Sequence, residues 1–330
     1  MNTTPSSPLH FTSTTASDRP RSDQDQPQID ATRRVPAAGE RALVLGGGGS
    51  AGNAWLIGVI AGLFDAGLDV TEADLIIGTS AGSTAAAQIT GAPPSDLLAA
   101  ALTPPPPRTG PVEARGGRGF IGSAMDHLER TNRIIAVAED VADMRRRIGA
   151  AALEMDGASD ASAQARWRAT VAGRLAGQSW PDRSVRMVAV DARTGEPVVF
   201  DRDSGVDLVD AVAASCAGGF AYGIGDGWFV DGGYRRSIEN ADLAAGYGRV
   251  LVLSPLGGRT RHPQEWGTHL AAQVEELRAG GSKVETILPD GNSLEAFGDN
   301  MMDLSRRPLA ARAGCAQGEA LAGQLTEFWR

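Results

Sequence analysis

Twice between Arg41 and Ser83 an apolar run stops on glycine and the chain resumes with small, helix-favouring residues. The first instance is "RALVLGGGGSAG" and the second is "DLIIGTSAGS". A short apolar run bounded by glycine predicts a buried strand, and the small residues after it predict a helix. Between the two, Trp55, Leu56, Val59, Ile60, Leu63 and Phe64 repeat as a helical stripe, and Gly67 falls where a C-terminal cap belongs. The second helix, within "SAGSTAAAQITG", is closed by Gly91 and Pro93. Strand, glycine loop, helix, strand, tight turn, helix is the order of an α/β sheet with helices on its faces.

The rest of the chain extends that order. Pro104 to Pro107 read as a stiff linker, and Ser123 to about Gly177 as Ala- and Arg-rich helix interrupted near Gly157. This region is expected to be a helical cap inserted over about 104–180. "VRMVAVDARTGEPVVFD" predicts a hairpin turning at Arg193-Thr194-Gly195, "VDLVDAVAASC" a helix, and "GWFVDGG" and "GRVLVLSP" two more strands. A helix near Pro263 to Ala279, a strand at Val284 to Leu288 and a helix from about Pro308 to Trp329 follow. Residues 1–40 hold too little apolar surface to offset ordering entropy and read as a disordered tail. One domain is expected over 41–330, with a C-terminal extension at 244–330.

Composition narrows the partners. With 31 Lys+Arg against 40 Asp+Glu, the net charge of -9 offers no clustered basic surface for nucleic acid. Cys216 and Cys315 are too few for a disulfide framework or a zinc site, which fits a reducing, cytoplasmic setting. No apolar run approaches the ~18 residues of a spanning helix. "MRRRIGAAALEM" and "ARWRATVAGRL" mix arginine with apolar positions, as an interfacial helix does. A solvated helix with its apolar stripe on the core is the favoured reading, leaving at most transient contact with a membrane surface.

A serine hydroxyl attacks only when a base takes its proton and donors receive the oxyanion it creates. Gly78, Ser80 and Gly82 fit a Gly-x-Ser-x-Gly turn between strand and helix, where larger flanking residues would collide. In the earlier loop Gly47, Gly48, Gly49 and Gly52 can aim backbone N–H groups at an anion beside a helix N-terminus. Gly47-x-Gly49-x-x-Gly52 also satisfies a dinucleotide fingerprint, although the next strand ends on the serine turn rather than on a ribose-binding acid. A purely structural turn would use the same glycines. His262 and His269 follow the strand "VLVLSP" and either could complete a triad, but His10, His127, His262 and His269 each read more readily as solvated surface residues. Asp231, in "WFVDGGYR", leaves an apolar strand onto a turn built from Gly232 and Gly233. A carboxylate so placed can act as a base or be an ordinary turn residue.

In this order, "GGGGSAG", "GTSAGS" and "DGGYR" resemble the motifs of the patatin-like phospholipase family, over roughly Leu43 to Leu243. The resemblance implies a three-layer α/β/α fold and a Ser–Asp dyad without histidine. It implies hydrolysis of acyl esters of phospholipids or other lipids, with no metal or cofactor. Ser80 matches the nucleophile, Asp231 the base, and the Gly47 to Gly49 backbone the oxyanion hole. Where the family's loop carries Arg or Lys before its last glycine, this chain has Ala51. That lost cation weighs against a phosphate-bearing substrate more than against ester cleavage. "SCAGGFAYGIG" lacks the proline turn expected after the helix and is expected to line an acyl pocket. The alternative is a protein on the same fold that holds an acyl chain without turning it over.

Overall fold

A computed structural model describes residues 39–104, 117–155 and 160–330. Residues 1–38 of the expected tail, most of the proline linker and the break near Gly157 lie outside them, while Gly39 and Glu40, counted in the tail, open the first strand. The described residues contain eight strands: β1 (Gly39–Leu45), β2 (Leu75–Thr79), β3 (Ser184–Asp191), β4 (Pro197–Phe200), β5 (Tyr222–Ile224), β6 (Gly227–Asp231), β7 (Tyr247–Leu253) and β8 (Lys283–Ile287). They form one sheet in the order β5-β6-β3-β2-β1-β7-β8, with β4 paired to β3. The run from β3 through β2, β1 and β7 to β8 is parallel. Its strands read as continuous apolar runs because both faces of such a sheet are covered.

β3 carries the arrangement on which the site depends. Along one edge its residues Met187 to Val190 pair with the antiparallel β4. Along the other edge β2 pairs in parallel as far as Val188, which stands opposite Thr79. From Ala189 onward that same edge pairs with the antiparallel β6, and Ala189 stands opposite Asp231. β2 and β6 therefore run toward each other along one strand, and their C-terminal ends meet.

The helices are α1 (Gly49–Asp65), α2 (Ala81–Ile89), α3 (Pro94–Leu102), α4 (Gly117–Val137), α5 (Val141–Leu153), α6 (Ala161–Ala172), α7 (Leu208–Ser215), α8 (Leu270–Ala279), α9 (Gly291–Phe297) and α10 (Arg307–Trp329). Strand alternation sorts them into two layers. Leu43, Leu45, Ile76, Met187 and Leu251 face a layer that includes α1, α2, α7 and α10. Ala42, Val44, Leu75, Ile77 and Val250 face the opposite layer, where α8 packs. On that side, at the β3–β6 end, Val190 and Val230 meet Met144 and Ile148 of α5. The molecule is the three-layer α/β/α sandwich that the sequence implies.

The expected stripe on α1 is buried except at its end, but it is only part of what the helix buries. Its residues 51–63 are buried on every side, and Phe64, counted in the stripe, is 40% exposed. The cause is α10, which lies parallel to α1 with backbone against backbone. A Cβ on Gly58 would stand 2.2 Å from the Ala311 carbonyl oxygen, and one on Gly62 2.1 Å from that of Cys315. Reciprocally, Cβ atoms on Gly314 and Gly318 would stand 2.5 Å from the Trp55 oxygen and 2.3 Å from the Val59 oxygen. Two glycine pairs at four-residue spacing thus interlock, and a helix covered this closely has no solvent face to keep polar. The Trp55 indole N–H remains satisfied, donating to Ser293 Oγ (3.0 Å) and Gln317 Oε1 (3.1 Å).

Candidate active site

Ser80 is the residue between β2 and α2, with φ 54° and ψ −119°. A side chain there crowds its own backbone, so the surroundings must hold it. Its N–H donates to Ser215 Oγ (3.0 Å). Its carbonyl oxygen accepts from Ser83 Oγ (2.6 Å) and from Cys216 Sγ (3.0 Å). Burial pushes the Cys216 thiol up to about 11, which keeps it protonated and able to donate. The flanking glycines answer to contact: a Cβ on Gly78 would lie 2.5 Å from Ser83 Cα, and one on Gly82 1.9 Å from the Leu45 oxygen.

Asp231 arrives from the other direction, at the end of β6. Its N–H donates to the Ala217 oxygen (3.0 Å), and its carboxylate accepts from the Gly233 N–H (2.8 Å). It is 7% exposed, and burial pushes its carboxyl up to about 6, against the downward pull of the Gly233 N–H and the neighbouring Ser80 hydroxyl. Gly232 fits because it turns against β3; a Cβ there would stand 2.1 Å from the Val188 oxygen.

The glycine loop lies against the serine. A Cβ on Gly47 would be 3.1 Å from Ser80 Cβ. The Gly47 N–H donates to the Ile238 oxygen and the Gly52 N–H to the Gly48 oxygen, both at 3.0 Å, so neither is available to an oxyanion. Among the described residues the Gly48 and Gly49 amides have no protein acceptor, and they stand at the start of α1. α1 and α2 both begin at this point, and their N-terminal partial charges favour a negative group. Ala51 is buried, and its N–H donates to the Met301 oxygen (2.9 Å). A cation still reaches the loop: Arg307 Nη1 donates to the Ser50 oxygen (3.3 Å) and to Asn53 Oδ1 (3.1 Å).

The glycines of "SCAGGFAYGIG" stand beside this centre. A Cβ on Gly218 would lie 3.6 Å from Asp231 Oδ2, and one on Gly219 3.7 Å from His127 Nδ1. Next to them is a narrow cleft whose lining includes Ile134, Ile148, Phe220, Val230, His127 and Tyr234. His127 and His262 depart from the solvated state expected of them. Burial, reinforced by nearby Arg130 and Arg261, pushes His127 down to about 4, and its Nε2 pairs with the Tyr234 hydroxyl (3.0 Å). Burial and Arg261 likewise push His262 to about 4, and its Nδ1 pairs with Thr268 Oγ1 (3.0 Å). His10 lies outside the described residues, and His269 precedes α8.

Sequence reasoning missed the residues that support the pair. Ser215 and Cys216 end a helix that reads as ordinary core, and Arg307 and Met301 lie more than two hundred positions from the loop they touch. Glu239, 1% exposed, sits under the loop with its oxygens accepting from Ser237 Oγ (2.7 Å) and Ser254 Oγ (2.6 Å). Burial raises its carboxyl above the usual range.

The family model for patatin-like phospholipase matches residues 43–242. No curated protein matches the chain in sequence. Similar solved structures include VipD from Legionella pneumophila, 15% identical with a TM-score of 0.37, aligned over 88% of this chain and 68% of that one. Another is the type III effector protein ExoU, 16% identical with a TM-score of 0.36. That alignment covers 86% of this chain and 54% of ExoU, so the present chain spans about half of its length.

Proposed function

The chain belongs to the patatin-like phospholipase family, and from that premise we propose that it is a serine acyl-ester hydrolase acting on lipids through Ser80 and Asp231. The observation that supports the reading is the meeting of β2 and β6, which sets the strand end before Ser80 beside Asp231, whose carboxyl burial pushes up to about 6. A base of that pKa is ionised at neutral pH yet basic enough to accept the hydroxyl proton as attack proceeds.

In the first half-reaction Asp231 takes the Ser80 proton as Oγ adds to the ester carbonyl. The negative charge that forms on the carbonyl oxygen is received by the Gly48 and Gly49 amides and the start of α1. Collapse breaks the ester C–O bond, the departing alcohol takes the proton from Asp231, and an acyl-serine remains. In the second half-reaction water gives a proton to Asp231 and its oxygen to the acyl group. The carboxylic acid leaves and Ser80 regains its proton. In this reading the neutral His127 and the apolar cleft beside Asp231 receive the acyl chain.

Arg307 supplies the cation that Ala51 does not, which keeps anionic lipid head groups within the substrate class. Two cap arginines pair with carboxylates of the same chain, Arg168 with Asp210 and Asp207 and Arg147 with Asp143, which accords with at most transient membrane contact. Among the described residues no helix is long and apolar enough to cross a membrane. The test is covalent labelling by a fluorophosphonate, which captures only an activated serine, alongside hydrolysis of p-nitrophenyl esters. Labelling and turnover that both vanish in Ser80→Ala are expected. Folded wild-type protein that neither labels nor hydrolyses would show an acyl-binding protein instead.

A further inference from the structure

β2 and β6 meet end to end, so no ladder hydrogen bond joins them directly. Both are registered against β3, and their other ladder partners lie outward, β1 for β2 and β5 for β6. One side chain spans the junction. Asn240 is fully buried, and its Nδ2 donates one hydrogen to Thr79 Oγ1 (3.1 Å) and the other to the Gly232 carbonyl oxygen (2.9 Å). Thr79 is the residue before the serine, and Gly232 is the residue after the aspartate. The orientation of the amide is fixed from its other end, where Oδ1 accepts from Arg235 Nη1 (3.2 Å). Arg235 is itself held by a two-point pairing with Asp242 at 2.9 and 2.8 Å. Both amide hydrogens and the amide oxygen are thus committed.

The backbone at this position is equally particular. Ser80 (φ 54°) and Asn240 (φ 53°) are the two non-glycine residues with positive φ among the described residues. Asparagine tolerates the left-handed region better than most side chains. It also brings two hydrogens on one nitrogen, which serine, aspartate and glycine cannot offer. The residue thus meets a conformational and a hydrogen-bonding demand together.

We infer that Asn240 is a positioning residue: its amide clamps the strand end carrying Ser80 to the turn carrying Asp231 and so sets the distance over which the proton moves. The inference rests on the Ser80–Asp231 reading given above. Proton transfer and attack need near-attack geometry, and a displacement of about 1 Å can cost ~10²-fold in rate. Asn240 touches neither substrate nor reacting atom, so loss of the clamp slows chemistry and leaves ester binding alone.

The test uses Asn240→Gly, which keeps the left-handed backbone and removes the amide, and Thr79→Val, which keeps the shape of β2 and removes one acceptor. Each is assayed for fluorophosphonate labelling rate and for kcat and KM on a p-nitrophenyl ester, with circular dichroism confirming the fold. Asn240→Gly should lower labelling and kcat by about 10²-fold with KM changed less than about twofold. Thr79→Val should fall in the same direction, and the double variant should be no slower than Asn240→Gly, since both changes open one clamp. Labelling within about threefold of wild type in folded Asn240→Gly overturns the inference, as does a double variant whose losses multiply. If Asn240→Gly does not fold, Thr79→Val decides alone, and unchanged kcat there is fatal. A wild-type protein that does not label removes the clamp's purpose along with the function it rests on, whereas labelling wild type with an unaffected variant removes the clamp only.

Discussion

Replacing Asp231 by asparagine separates what the carboxylate does for chemistry from what it costs the fold. Burial moves its pKa from 3.8 to about 6, so the native state holds the proton more tightly than the unfolded chain does. The sign follows directly. The group's contribution to stability is complete below about pH 4 and is lost as pH climbs through about 6. At 1.36 kcal/mol per pKa unit, the ionised carboxylate at pH 8 costs up to about 3 kcal/mol relative to a neutral group in its place. Asn is that neutral group, and its oxygen can still accept the Gly233 N–H. Asp231→Asn should therefore melt roughly 4–8 °C above wild type at pH 8, with the gain shrinking to about 1 °C near pH 4. Ester hydrolysis should fall by about 10²–10⁴-fold in the same variant. Wild-type kcat/KM should rise with pH through about 6 and then level, because the base acts only when ionised. Scanning calorimetry across this pH range, beside an ester assay, reads both effects. A melting difference that does not change with pH would refute the argument, because it would mean the carboxylate is fully compensated where it sits.

Other perturbations follow from the same geometry. Ser80→Gly and Ser80→Ala should both be inactive, but the glycine variant should be more stable by roughly 1 kcal/mol in urea denaturation, since it alone relieves the left-handed backbone. Gly62→Ala puts a methyl where only 2.1 Å separates it from the Cys315 oxygen. It should cost about 1–3 kcal/mol by the same measurement. Gly323→Ala, on the open side of α10 with nothing within 4 Å, should instead stabilise by about 0.5–1 kcal/mol. The cleft beside Asp231 has only about 10 Å³ free, far below the ~300–1,000 Å³ of ordinary ligand pockets. Butyrate esters should accordingly turn over faster than palmitate esters, and Ile148→Ala should narrow the difference in a series of graded chain length.

The elements that were legible in the sequence are those whose cause is local. Strands bounded by glycine, the Gly67 cap (φ 87°) and the hairpin turn at Gly195 (φ 75°) are written in neighbouring residues, and each stands where the pattern predicts it. β5 leaves no mark in the sequence pattern because three residues carry no period, although Gly225 (φ 55°) marks the tight turn that joins it to β6. α9 is too short to show itself, since seven residues cannot display a stripe. The stripe on α1 could not disclose that the rest of the helix is buried as well. Its covering partner lies some 250 positions away, and the glycines that admit α10 look like helix breakers in isolation. At the site, Ser80, Asp231 and the glycines announce themselves through turn chemistry. Asn240 does not: its two acceptors, Thr79 and Gly232, become neighbours only when β2 and β6 are laid end to end.

The shared edge of β3 has a consequence for control. Val188 and Ala189, consecutive residues of one central strand, fix the places of Thr79 and Asp231. If Ser80 and Asp231 act as proposed, nucleophile and base are parts of the scaffold rather than of any moving loop, and separating them means tearing the sheet. An effector would then have to work at the doorway, by admitting or refusing the substrate.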